Sequence, residues 1–111
     1  MKLFHRTTAK NAKAILAKGF KDATGSFGTR DLYRGVWLTS EPIDVNLIDV
    51  TLIEVTLDLD EDSLAAYERC DRGKWYREWL VPAAFVNANM KLRIIAGRRV
   101  DNQLITRRRQ L

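Results

Sequence analysis

The regular alternation of apolar and polar residues over positions 51–59 constrains the fold more than any other feature of the sequence. The apolar residues Ile53, Val55, Leu57 and Leu59 recur at every second position, with polar residues between them. A period of two is that of a β-strand whose two faces meet different surroundings. The sequence therefore predicts a strand here, and a sheet with at least one face against a core.

Four further segments are predicted as strands because they are short, rich in apolar residues and bounded by turn-forming residues. They are residues 2–5, 36–39, 75–81 and 90–96. One more short strand is predicted around residues 100–106. Residues 40–42 are predicted to form a turn, and Pro82 is predicted to open another.

A helix is predicted directly after the first strand. Either Thr7 or Thr8 can cap its first turn, and Ala12, Ile15 and Leu16 then fall on one face. This apolar face is expected to pack on the sheet. It is the main helix that the sequence predicts.

The end of this helix is predicted at Gly19, with Phe20 folding back towards Ile15 as in a Schellman cap. A second, shorter helix is predicted further along the chain, capped by Asp60 and carrying Leu64. The order of elements is then β-α-loop-β-β-α-β-β. Because this order has too few crossover helices for a doubly wound sheet, we expect an α+β fold: a split antiparallel sheet with one main helix.

Residues 21–35 lack apolar periodicity and are rich in Gly, Ser, Thr, Asp and Arg, so they are predicted as a long loop. Loops of this length are commonly functional or mobile. We expect residues 22–35 to be mobile in the free protein and to fold over a bound ligand.

The length of 111 residues suits one domain, residues 1–111, and 46% of the residues are hydrophobic, enough for a core. Cys70 is the only cysteine, which excludes an internal disulfide and a cysteine-based zinc site. No apolar run approaches the roughly 20 residues of a membrane helix. The start of the chain lacks the apolar stretch of a signal peptide, so a cytoplasmic location is expected.

The formal net charge of +5 is concentrated in a basic C-terminal segment, about residues 98–111. Its five arginines against the single acid Asp101 account for +4, which leaves the remaining chain at +1. The segment is expected either to be a solvated end or to contact a nucleic acid or a protein. Its arginines are Arg98, Arg99, Arg107, Arg108 and Arg109.

Three residues stand out as candidates for chemistry: His5, the only histidine, at the end of the first strand; Trp37, in the strand after the long loop; and Glu78, in an aromatic-rich strand. Each has an ordinary structural interpretation on its own, as a capped surface histidine, a core tryptophan or a solvated strand residue. Their order and surroundings together indicate more.

The segments Leu3-Phe4-His5-Arg6-Thr7-Thr8, Gly19-Phe20, Gly35-Val36-Trp37-Leu38-Thr39 and Glu78-to-Pro82 resemble the His-Tyr-Glu branch of the ADP-ribosyltransferase superfamily. Members of that branch begin with a "His-Gly-Thr/Ser" strand and a helix ending in "Gly-Phe". They continue with a "Gly-x-aromatic-x-Ser/Thr" strand and end with a glutamate before a "Val-Pro" type turn. The resemblance touches segments that span about three quarters of the chain.

The resemblance implies an ADP-ribosyltransferase-like fold that takes NAD as a substrate. In that family pattern His5 would bond the adenosine-side ribose hydroxyl and help anchor the nicotinamide, and the Arg6 backbone would bond the nicotinamide amide. Thr7 would support the ribose, and Trp37 would stack on the nicotinamide ring. Thr39 fills the Ser/Thr position of the same strand and is counted with the cofactor-binding residues.

Glu78 would bond the 2′-hydroxyl of the nicotinamide ribose. The chemistry suits these residue types, since cleavage of the nicotinamide–ribose bond builds an oxocarbenium-like cation that a carboxylate stabilises. An indole face suits a positively charged pyridinium ring, with about 0.5–2 kcal/mol available from the contact. No metal is required. The predicted function is thus NAD-dependent ADP-ribosyl transfer or NAD glycohydrolysis, with Glu78 and His5 as the catalytic residues.

Three positions depart from the family pattern or limit it. Arg6 stands where the family has glycine, and Trp37 stands where it has tyrosine. Tyr76 occupies the place, two residues before the glutamate, where arginine-modifying members carry Gln or Glu. The acceptor is therefore left open as a protein, a nucleic acid, a small molecule or water.

Two other classes of function stay open at this stage. The chain could be a metal-free ribonuclease that uses His5 and Glu78 as acid and base, with an arginine on the phosphate. It could also be a non-catalytic module on the same fold that binds a protein or a nucleic acid. A related group of RNA 2′-phosphotransferases uses two histidines, whereas this chain has one.

Overall fold

A computed structural model of the chain describes residues 1–25, 33–44, 47–69 and 73–97. Two α-helices, seven strands and one 3-10 helix occur in this part of the chain. The helices are α1 (Ala9–Lys18) and α2 (Ala83–Ala88), and the 3-10 helix is Asp62–Tyr67. The strands are β1 (Lys2–Thr7), β2 (Ala23–Gly25), β3 (Tyr33–Thr39), β4 (Thr51–Leu57), β5 (Glu68–Arg69), β6 (Glu78–Val81) and β7 (Met90–Gly97).

The strands pair in the order β5-β6-β3-β1-β4-β7, and β2 is added beside β3. Every pair of neighbouring strands in the described ranges is antiparallel. The prediction of an α+β fold with an antiparallel sheet and few helices is therefore confirmed. The three strands that carry His5, Trp37 and Glu78 lie side by side, in the order β1, β3 and β6.

The core is built on one face of this sheet. Leu3, Leu38, Val55 and Trp79 lie on neighbouring strands and are each at most 1% exposed. Ala12 of α1 and Val86 of α2 are fully buried against the same cluster. Burying these side chains supplies the main stabilisation of the fold, at roughly 25 cal/mol for each Å² of apolar surface removed from water.

The helix α1 begins as predicted, because the Thr8 hydroxyl oxygen accepts a hydrogen bond from the Asn11 backbone N–H at 3.1 Å. Its predicted apolar face is only partly right. Ala12 is buried and Ile15 is half-buried, whereas Leu16 is 45% exposed. The face of α1 that packs on the core is therefore narrower than the apolar pattern of the sequence indicated, and Leu16 lies outside it.

The Schellman cap predicted at the end of α1 is wrong. The Gly19 N–H does bond to the Ile15 carbonyl at 2.7 Å, but the Phe20 N–H donates to Oδ1 of Asn87 in α2. Nδ2 of Asn87 in turn donates to the Phe20 carbonyl at 2.9 Å. A side chain from a distant helix thus replaces the local cap.

Several predicted boundaries are wrong in an instructive way. The predicted loop 21–35 contains β2 and the start of β3, because Ala23–Gly25 pairs with Tyr33–Gly35. The strand predicted over 75–81 begins only at Glu78, and Trp75 is 74% exposed. The first strand runs two residues further than predicted, to Thr7, because it pairs with β4 along its whole length.

Two short elements were missed or altered. Pro82 is the N-cap residue of α2 rather than the start of a turn, and the N–H of Ala83 donates to Oδ1 of Asp22 at 2.8 Å. The predicted second helix is a 3-10 helix with Glu61 rather than Asp60 at its N-cap position, and the carboxylate of Asp60 accepts from the Ser63 N–H and hydroxyl. This bonding also lowers the pKa of Asp60.

In the described part of the chain, no helix is both long enough and apolar enough to cross a membrane. The predicted strand at 100–106 and the basic segment with its five arginines lie outside the described residues. The same holds for residues 26–32 of the predicted loop, so its expected mobility and closure stay predictions.

Candidate functional site

A large cleft opens where β1 and β3 separate. The two strands share only one aligned pair in the sheet, Phe4 with Thr39. Beyond that pair a cavity of about 1420 Å³ extends between them. Four consecutive residues of β1, from Phe4 to Thr7, line this cavity. Because successive residues of a strand face opposite sides, the cavity must border the edge of β1 rather than one of its faces.

His5 spans the gap between the two strands. Its Nδ1 lies 2.8 Å from the backbone carbonyl oxygen of Trp37, a group that would otherwise be available to a neighbouring strand. The ring of Phe20 contacts the imidazole edge-to-face, with ring centroids 5.0 Å apart. Phe20 belongs to the core cluster, so His5 is anchored to the core on one side and to β3 on the other.

The hydrogen bond to Trp37 determines which nitrogen of His5 carries the proton. A carbonyl oxygen only accepts, so Nδ1 must donate. Burial lowers the pKa of His5, and the positive charge of Arg6 lowers it further, while the bond to Trp37 acts in the opposite direction. At neutral pH the ring is therefore neutral, and Nε2 is its acceptor for a ligand hydroxyl.

Trp37 and Thr39 lie two residues apart on β3 and both line the cleft. The Trp37 side chain is half-buried, which leaves part of the indole accessible from the cavity. The hydroxyl of Thr39 donates to the Glu41 carbonyl at 2.8 Å, and its oxygen also lies 3.3 Å from the Phe4 carbonyl. The proton of Thr39 is committed to the backbone, so towards a ligand its hydroxyl can only accept.

Glu78 stands in a row of side chains that crosses four strands. Glu78 of β6 is aligned with Thr39 of β3 on one side and with Arg69 of β5 on the other, and Thr39 is aligned with Phe4. Aligned residues of antiparallel strands share a face of the sheet. All four line the cleft.

His5 reaches the same cleft from a different direction. In β1 it follows Phe4, so the alternation of side chains turns it away from the row that contains Glu78. It nevertheless lines the cavity, because β1 and β3 have separated at that point. His5, Trp37 and Glu78 therefore all line one cavity, with His5 at the gap and Glu78 on the opposite face of the sheet.

The carboxylate of Glu78 is buried and paired. Glu78 is 8% exposed, and its Oε1 accepts a hydrogen bond from Nζ of Lys74 at 2.7 Å. Lys74 lies on the turn before β6 and also lines the cleft. A buried carboxylate needs such a cation, since an unpaired charge away from water is costly.

Arg6 and Thr7, the other two predicted site residues, both line the cleft at the end of β1. The guanidinium of Arg6 pairs with the carboxylate of Asp44, which is not among the lining residues. This ion pair draws the Arg6 side chain towards the segment after β3.

Sequence reasoning missed three residues that shape this site: Lys74, Arg69 and Asn87. Lys74 and Arg69 flank Glu78, while Asn87 fixes the Phe20 backbone that supports His5. The only sequence signal was the nearness of Lys74 to Glu78. Among the described residues, no three His, Cys, Asp or Glu side chains are grouped closely enough to hold a metal ion.

Comparison with known proteins finds no protein-family model, no curated protein and no solved structure that matches the chain.

Proposed function

We propose that the chain has an ADP-ribosyltransferase-like fold and that its cleft binds NAD and cleaves the nicotinamide–ribose bond. ADP-ribose is then transferred to an acceptor or to water. One observation carries the proposal: the residues selected from three separate sequence segments all line one cavity. They are His5, Arg6, Thr7, Trp37, Thr39 and Glu78. The volume of about 1420 Å³ exceeds the roughly 300–1,000 Å³ of common small-molecule sites, which suits a dinucleotide.

In this proposal Glu78 acts on the reacting sugar. When the bond between C1′ of the ribose and N1 of nicotinamide breaks, its electron pair stays on nicotinamide, which leaves neutral. The sugar carries the positive charge until water or an acceptor forms the new bond at C1′ and releases a proton. A fixed carboxylate beside the sugar stabilises this charge, and Glu78 is fixed by its position in β6 and by Lys74.

His5 and Trp37 would bind rather than react. A neutral His5 with a proton on Nδ1 offers Nε2 as an acceptor for a ribose hydroxyl. The accessible part of the Trp37 indole offers a surface for the nicotinamide ring, whose positive charge favours an aromatic face. Both residues lie at the gap between β1 and β3, so they would hold the same end of the ligand.

The test is the release of nicotinamide from NAD by the wild type and by Glu78→Gln. Glu78→Gln keeps the shape of the side chain and removes the charge, so we expect the rate to fall about 100- to 1,000-fold. Glu54→Gln is the matched control. Glu54 has a similarly covered side chain, 12% exposed against 10% for Glu78, and pairs with Lys2 and Arg93, but does not line the cleft.

Equal rates for the wild type and Glu78→Gln, at matched folding, would exclude Glu78 from the reaction. A comparable loss in Glu54→Gln would indicate a general effect of removing a paired charge. If the wild type releases no nicotinamide and NAD does not raise its melting temperature, the proposed function fails.

The ribonuclease hypothesis is less well supported. It requires a protonated His5 as general acid, whereas burial lowers the pKa of this ring and favours its neutral form. A ligand comparison separates the two functions. Stabilisation by a nucleotide 3′-phosphate but not by NAD would favour the ribonuclease.

A further inference from the structure

We propose that the acceptor of the ADP-ribose is a single-stranded nucleic acid, held at the Glu78 end of the cleft by stacking on Trp75 and by nearby cations. This inference rests on the proposed function for its chemistry. Binding of a single strand can be measured without NAD, so a failure of this proposal can be distinguished from a failure of the proposed function.

Trp75 is the most exposed large hydrophobic residue of the described chain, at 74%. It lies three residues before Glu78, on the turn that leads into β6. Tyr76 packs edge-to-face against its indole, with ring centroids 5.5 Å apart. The neighbour thus orients the indole without covering it. An exposed and oriented aromatic face is the surface on which an unpaired base stacks.

Cations adjoin this aromatic pair. Nζ of Lys74 lies 5.7 Å from the centre of the Tyr76 ring and 2.7 Å from Oε1 of Glu78. Arg69 is aligned with Glu78 on its other side. The catalytic carboxylate is therefore flanked by positive charge where an acceptor must approach.

The acidic side chains at this end present little free carboxylate. Glu68 accepts two hydrogen bonds from Arg77, at 2.9 and 2.6 Å, and Arg77 also contacts Glu61. The pairing with Arg77 lowers the pKa of Glu68, so the bonded carboxylate stays ionised. Both oxygens of Glu68 are used by the guanidinium.

The whole lining of the cleft carries the same excess of positive charge. Five basic residues line it against three acidic ones, and one of the five, Arg6, is already paired with Asp44 outside the lining. The basic ones are Arg6, Lys18, Lys21, Arg69 and Lys74, and the acidic ones are Asp22, Glu68 and Glu78. Glu78 is itself paired with Lys74, so this end of the cleft offers little free carboxylate to a cationic acceptor such as an arginine or lysine side chain. Phosphates meet attraction, and a base meets the indole.

The transfer step balances without another reactant. A nucleophilic oxygen or nitrogen of the nucleic acid forms the new bond to C1′ of the ribose as the C1′–N1 bond to nicotinamide breaks. The electron pair of the broken bond leaves with nicotinamide, and the proton of the nucleophile is released to water. The products are ADP-ribosylated nucleic acid, nicotinamide and one proton.

The first experiment measures binding of a short fluorescein-labelled single strand of mixed sequence by fluorescence anisotropy, as DNA and as RNA, without NAD. We expect affinity that falls with added salt and that Trp75→Ala weakens about fivefold or more. The control Ile48→Ala removes another exposed apolar residue, 65% exposed and outside the cleft lining, and should bind like the wild type. Arg69→Gln should reduce the salt dependence, whereas Lys91→Gln, on the far edge strand, should not.

Unchanged affinity in Trp75→Ala overturns the proposal, as does equal affinity for a duplex whose base faces are covered. The second experiment adds NAD labelled in its adenylate and follows the label. Label on the oligonucleotide supports the proposal; label on a lysine- and arginine-rich peptide instead overturns it. If NAD is never consumed, the proposed function fails, while the anisotropy result still decides whether this surface binds single strands.

Discussion

The imidazole Nδ1 of His5 donates a hydrogen bond to the backbone carbonyl oxygen of Trp37 across 2.8 Å. The two residues belong to neighbouring strands, and their bond joins a side chain to a backbone where a sheet would join two backbones. Beside this bond the strands no longer pair, and the cleft begins. His5 is thus part of the geometry of the cavity as well as a candidate ligand contact.

The lowered pKa of His5 predicts how stability depends on pH. The folded state binds the proton less readily than the unfolded chain, whose histidine titrates near 6.5. Well above pH 6.5 His5 is neutral in both the folded and the unfolded state, so its titration does not reduce the free energy of unfolding. Below about pH 6.5 the unfolded chain gains the proton first, and stability falls by at most about 1.4 kcal/mol per pH unit. Urea denaturation at about pH 7.5 and 5.5 measures the change.

His5→Asn is the control for this prediction. The asparagine amide can donate to the Trp37 carbonyl but does not titrate. The free energy of unfolding of the His5→Asn variant should be nearly the same at both pH values. Asp60 and Glu68 also have lowered pKa values, but they titrate below this window. An equally steep loss in His5→Asn would show that another group is responsible.

Gly35 is expected to tolerate no side chain. Its φ of +154° is unfavourable for other residues, and a Cβ there would lie 3.0 Å from the carbonyl oxygen of Val81 and 3.1 Å from the Leu80 side chain. Gly35→Ala should cost about 1–3 kcal/mol. Gly73→Ala is a matched control, since Gly73 also has a positive φ, +91°, but would meet no atom within 4 Å. Thermal or urea denaturation measures both variants. If the two lose the same stability, the contact of the new Cβ at position 35 with β6 is unimportant.

Asn87 is expected to hold the end of α1 in place. Its amide bonds both the N–H and the carbonyl of Phe20, at 2.8 and 2.9 Å. Asn87→Ala leaves both groups without these partners and should cost about 1–3 kcal/mol. Asn11→Ala, an exposed asparagine within α1, should be neutral or slightly stabilising because alanine favours helices. A cost below about 0.5 kcal/mol for Asn87→Ala would mean that water replaces these bonds.

Trp37 is expected to contribute binding through its ring. Trp37→Ala keeps the backbone carbonyl that His5 bonds but removes the indole, so NAD affinity should fall by about 0.5–2 kcal/mol. Trp37→Tyr should retain most of the affinity because an aromatic face remains. Isothermal titration calorimetry measures both. A tyrosine variant as weak as the alanine variant would argue against stacking and for a shape effect of the indole.

The separate strands were predictable because the information for them is local. The alternation around Ile53 and Val55 and the Thr8 cap of α1 act within a few residues, so the sequence alone indicates them. Too few helices for a parallel sheet then leave an antiparallel one.

Errors cluster where a distant residue decides a local structure. Pro82 was predicted to open a turn, but a carboxylate from Asp22 caps the N–H of Ala83 and a helix forms. A Schellman cap was predicted after Gly19, but Asn87 supplies the bonds instead. Partners more than 60 residues away leave no trace in the local pattern.

The sequence by itself determined an α+β chain, its main helix and the residue types available for chemistry. Tertiary structure alone decided that β1 and β3 separate beyond the aligned pair of Phe4 and Thr39 and that His5 bridges the gap. It also decided that Lys74 pairs with the buried Glu78. The physical reason is the separation along the chain over which each interaction acts. Periodicity and capping depend on neighbours in the chain, whereas a cleft is formed where long-range strand pairing stops, and side chains brought together by the fold fill the bonding positions that the backbone leaves open.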